Sequence, residues 1–74
     1  MPNNLDRQRW AAAALANHSA ATGVQTEDAE TQLSDLLTNI RHLCRIKSID
    51  FSACNHRSKQ MHKEEASFND LEDN

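Results

Sequence analysis

The chain is poor in the residues that punctuate β-structure. Its 74 residues include one Gly, one Pro and no Tyr, and aromatics make up only 4%. Sheets need frequent turn signals and aromatic or β-branched strands, so a β-sandwich is excluded. Long apolar runs are also missing, and nothing approaches the roughly 18 residues of a membrane span. The alanine-rich start is preceded by Asp6 and interrupted by Asn17 and His18, so it lacks the apolar stretch of a secretory leader. Two cysteines are too few for a secreted disulfide scaffold. These scarcities predict one small all-α domain in the cytoplasm.

What is present suits helices. Apolar residues make up 38% of the chain, enough for a modest helical core. Helix 1 is predicted from Leu5 to about Thr22: Asn3 or Asn4 caps it, Asp6 complements its positive end, and Gly23 stops it. Helix 2 is predicted from Glu27 to about Lys47, with Thr26 as its cap. Ala29, Leu33, Leu36, Leu37, Ile40, Leu43 and Cys44 recur there at three- and four-residue spacing, the clearest amphipathic stripe in the sequence. Helix 3 is predicted from Phe51 to about Ala66, capped by Asp50. The expected architecture is a three-helix bundle over residues 1–66, with a short helix 2–helix 3 hairpin. Residues 67–74 are expected to form a flexible, frayed acidic tail.

The formal charge of −3 conceals a segmented pattern. Residues 1–40 carry −3, residues 41–63 carry +5, and residues 64–74 carry −5. Such asymmetry points to an electrostatic partner for the basic third, or to shielding by the acidic tail.

Several chemistries can be weighed on these residues. His42-x-Cys44 and Cys54-x-His56 are zinc-type ligands, but residues two apart on a helix point roughly 200° from each other. The four flank the expected hairpin turn symmetrically, which explains their arrangement without a metal. Both thiols are expected to be small buried packing residues. Glu27-x-x-Glu30 resembles the first acidic element of MazG-type nucleotide pyrophosphohydrolases, whose second element is missing from helix 3; capping accounts for those acids. No phosphate-binding glycine loop or nucleophile set is present. The chain is therefore expected to have no catalytic residues, no metal and no cofactor. Helix 3 carries Asn55, His56, Arg57, Ser58, Lys59, Gln60 and Lys63, so a helix-turn-helix regulator is the alternative reading. A turn without glycine, the acidic balance, and Glu64 and Glu65 rank it lower.

Helix 1 points to protein binding. Leu5, Ala12, Leu15 and Ala16 lie on one side, and Trp10, Ala13, Ala14 and Ala21 roughly opposite. Three helices cannot bury both sides of the first, so one side is expected to meet another chain. Trp10 is the natural anchor, as tryptophan is enriched at interface hot spots. Arg41, Arg45, Arg57, Lys59 and Lys63 are the further partner-binding candidates, facing an acidic protein surface. A homodimer is expected as one form of such binding.

The stretch LSDLLTNIRHLCRIKSIDFSACNHR resembles a segment of small helical proteins encoded by phages, plasmids and other mobile elements. The matching pieces are Asp35 to Asn39, His42, Asp50–Phe51 and Glu64–Glu65, with Thr22–Gly23 in the same order upstream. The chain departs from that pattern at Lys47–Ser48, where a glycine is usual, and lacks an aromatic residue near position 63. The resemblance implies a setting in which small helical proteins bind and block host complexes, anti-CRISPR proteins among them. It implies an inhibitor of a host protein complex.

Overall fold

The computed structural model describes residues 3–73, with side chains described through residue 66. Three helices follow one another: α1 Asn4–Thr22, α2 Ala29–Lys47 and α3 Phe51–Asp73. No strand occurs among the described residues. The fold is all-α, as the scarcity of turn residues requires.

The helix ends follow from local hydrogen bonding. Asn3 caps α1: its side chain accepts from the Asp6 N–H at 3.0 Å, and the Asp6 carboxylate accepts from the Asn3 N–H at 3.4 Å. At the other end Gly23 takes φ 78°. The Gly23 and Val24 N–H groups both donate to the Ser19 carbonyl, at 2.9 and 3.0 Å. Asp50 caps α3, accepting from the Ala53 N–H at 3.1 Å.

Helix α2 begins two residues later than the sequence pattern suggests, because its cap is Asp28 and not Thr26. The Asp28 carboxylate accepts from the Thr31 N–H at 2.7 Å. Bonding to the Thr31 side chain first, and to its backbone N–H second, holds the Asp28 carboxyl below its ordinary value of 3.8. A lowered folded-state value adds stability above the ordinary carboxylate range, and this is lost as pH falls through the lowered value. Residues 23–28 are held off the helix by the Gln32 amide, which donates to the carbonyls of Glu27 at 2.7 Å and Gln25 at 3.4 Å. Glu27 is thereby kept out of the helix.

Helix α3 extends to Asp73, beyond the Ala66 end that the apolar pattern suggests. The acidic tail expected over 67–74 falls outside the residues whose side chains are described.

The packing is open. Helix α1 contacts both α2 and α3, whereas α2 and α3 scarcely touch each other. The three-residue link 48–50 thus splays its two helices apart. The radius of gyration is 14.1 Å, against about 11 Å for a compact chain of this length. Among the described residues only Cys44 and Ser19 are buried, at 8% and 1% exposure. Leu15, Val24, Leu36, Ile40 and Phe51 are half-buried, and Ala29, Leu33, Leu37 and Leu43 of the α2 stripe stay exposed.

Polar contacts set the faces of α1. The Ser19 hydroxyl donates to the Gln32 side-chain oxygen at 2.7 Å. The Asn39 amide meets His18 Nε2 at 2.9 Å, while His18 Nδ1 is buried without a partner. At the other end the Asn4 amide donates to the Glu65 carbonyl at 3.3 Å, and Arg7 Nε pairs with the Glu65 carboxylate at 2.9 Å. These side chains lie within roughly 60° of one helix line, because successive residues turn by about 100°. The inward face of α1 is therefore Asn4, Arg7, Leu15, His18 and Ser19. Of the side expected to form the core, Leu5, Ala12 and Ala16 remain exposed. Alanine is too small to outweigh the cost of leaving polar groups unpaired.

Ser48 closes α2 in the left-handed region, at φ 57° and ψ 38°. A non-glycine residue there costs about 1–2 kcal/mol, partly offset by the backbone freedom glycine loses on folding. Ser48→Gly should therefore raise stability by about 0.5–1 kcal/mol, and Gly23→Ala should lower it by about 1 kcal/mol. Urea unfolding of the two variants checks both signs. A Ser48→Gly variant no more stable than wild type, or a Gly23→Ala variant no less stable, would show that these helix ends do not hold the connections.

Candidate functional site

Helix 1 presents its large aromatic to solvent. Trp10 is 60% exposed. Ala14, Asn17 and Ala21 follow it at i+4, i+7 and i+11, which puts all four within roughly 60° of one line. All four are exposed, as is Ala13 beside them. Small neighbours leave the indole standing proud of an otherwise low surface, a shape that a pocket on another protein can enclose. The contacts that turn His18, Ser19 and Arg7 inward also fix this outward direction.

The five basic candidates are all exposed, but they do not form one patch. Arg41 and Arg45 share a face of α2, one turn apart. Lys59 and Lys63 share a face of α3 in the same way. Arg57 points roughly opposite Lys59, since two residues turn a helix by about 200°. With α2 and α3 splayed, the two pairs sit on separate arms. Arg41 is also engaged within the chain: its guanidinium lies 4.2 Å from the centre of the Phe51 ring. This contact spans the link 48–50 and fixes how α3 leaves α2.

The symmetric quartet around that link is not brought together. Cys44 is buried and Cys54 exposed, both as free thiols. His42 and His56 are exposed. Among the described residues no three His, Cys, Asp or Glu side chains converge in a way that could hold a metal ion. The acids Glu27 and Glu30 stand on either side of the α2 cap at Asp28. No helix among the described residues is long and apolar enough to cross a membrane.

Sequence reasoning missed the α1–α2 clamp. Ser19 and Gln32 are ordinary surface types in the sequence, and nothing in their spacing signals that one would be buried against the other. Comparison with family models, curated proteins and solved structures finds no match.

The Arg41–Phe51 contact makes a defined energetic claim. A cation over an aromatic face at an exposed site is worth about 0.5–1 kcal/mol. Arg41→Ala and Phe51→Ala should therefore be non-additive in thermal unfolding, with a coupling of about 0.5 kcal/mol or more. Strict additivity would show that the ring and the guanidinium do not meet in solution.

Proposed function

We propose that the chain is a non-enzymatic protein-binding module of the cytoplasm, encoded by a mobile element. It acts as an inhibitor of a host protein complex, in the manner of an anti-CRISPR protein. The observation that carries the binding reading is the outward Trp10, 60% exposed on a helix whose inward line, roughly 120° around from it, already faces α2 and α3. Burying an indole on a partner removes much of the roughly 150–250 Å² an aromatic side chain can hide. The mobile-element setting and the inhibitory role rest on the sequence resemblance.

Charge supports a protein partner over a nucleic acid duplex. Lys59 and Lys63 on one arm, and Arg45 on the other, suit the rim of a contact with an acidic surface. A duplex-reading helix needs its cations along one face and a firm scaffold behind it. Arg57 is turned away from Lys59, and α3 has little contact with α2. Arg41 contributes to the rim only to the extent that it leaves Phe51.

The test starts with affinity capture from a host lysate. The retained protein is then purified and titrated against wild type and Trp10→Ala. The substitution should weaken binding by at least about tenfold, the scale of an interface anchor. Equal affinity for both proteins would reject Trp10 as the contact. Retention on duplex DNA that falls steeply with salt would favour the helix-turn-helix alternative.

A further inference from the structure

The apolar stripe of α2 is wider than α1 can cover. Gln32 and Asn39 hold α1 along one edge of the stripe. Leu33, Leu37, Ile40 and Cys44 run along the other edge, at the four-then-three spacing of a coiled-coil seam. Leu33 and Leu37 are 48% and 43% exposed there, whereas Ile40 is half-buried and Cys44 is buried, so the seam is open over its first half. A helix with two adjacent seams is built for two neighbours, and the exposed Leu33 and Leu37 leave the second seam partly open.

We propose that this seam pairs antiparallel with the same seam of a second copy of the chain. Charge selects the direction. The start of α2 is acidic and its end is basic, with Glu30 in the first turn and Arg45 and Lys47 in the last. Parallel pairing would set like charges side by side, whereas antiparallel pairing sets each acidic end against a basic one, twice by symmetry. The antiparallel register that layers the seam residues also closes on itself. Leu37 lies opposite Ile40 of the other copy, Leu33 against the surface above its buried Cys44, and Glu30 opposite Lys47. Apolar layers are thus flanked by an ion pair at each end.

Trp10 is on α1, away from this seam, so the pairing leaves it open. The inference therefore stands apart from the target-binding reading, and Trp10→Ala should dimerise as wild type does.

Sedimentation equilibrium from low micromolar to several hundred micromolar tests it. Wild type should reach twice 8.4 kDa, and a monomer throughout would overturn the proposal. Leu37→Glu should weaken association by well over about tenfold, since it places a charge in the central layer; an unchanged dimer would overturn the seam. Glu30→Lys and Lys47→Glu should each weaken the dimer, by about tenfold for two lost pairs, and the double variant should recover most of the loss. Both changes oppose the α2 dipole, so recovery cannot come from a more stable monomer. A double variant weaker than either single change would overturn the antiparallel register. Should Leu37→Glu lose its helical circular dichroism, the charge series decides alone.

Discussion

The hydrogen bond from Ser19 to Gln32 decides which way the first helix faces. Ser19 is 1% exposed, and a buried hydroxyl without a partner costs about 1–3 kcal/mol. The bond at 2.7 Å satisfies it only if the Ser19 line of α1 turns toward α2. The same Gln32 also binds two carbonyls of the connecting turn. One side chain thus sets the connection and the rotation of the helix together. The inward line then carries mostly polar groups, with Leu15 as its main apolar member. Trp10 is turned out by the same rotation.

A chain arranged this way buries little of its own apolar surface. Its α2 stripe is strong, yet Cys44 is its only buried member among the described residues. The far end is held by Arg7 and Asn4 against Glu65, contacts that are partly exposed and so contribute modestly. The elbow between α2 and α3 depends on the Ser48 conformation and on Arg41 over Phe51. These are directional contacts of about a kcal/mol each. They specify an arrangement without supplying a large core, so the exposed Leu33 and Leu37 of α2 and the Trp10 face are where further free energy can be gained.

Helix existence was legible because caps and stops are local chemistry. Asn3, Gly23 and Asp50 stand where free N–H groups or a left-handed residue require them. Two boundaries were less legible. Thr26 and Asp28 are both good caps, and the choice between them depends on Gln32, several residues downstream. The apolar pattern fades at Ala66 although α3 is longer. The facing of α1 was hardest to read. Alanines all round its circumference give no hydrophobic direction, so polar contacts to α2 and α3 determine it. The two-sidedness that follows from those alanines did point to an outward Trp10. The basic segment looked continuous along the chain, but helical rotation and the splayed elbow distribute it. Likewise, Cys44 and Cys54 are equidistant from the turn, yet one is buried and the other exposed because α2 and α3 diverge.

The central claim is that folding of this chain is completed by a surface outside itself. Thermal unfolding across a hundredfold range of protein concentration tests it most directly, because association with the native state raises the midpoint by mass action. The account predicts a midpoint that climbs steadily with concentration. A sharp, cooperative transition at the same temperature throughout would contradict it, showing that three helices with so little buried between them are sufficient alone.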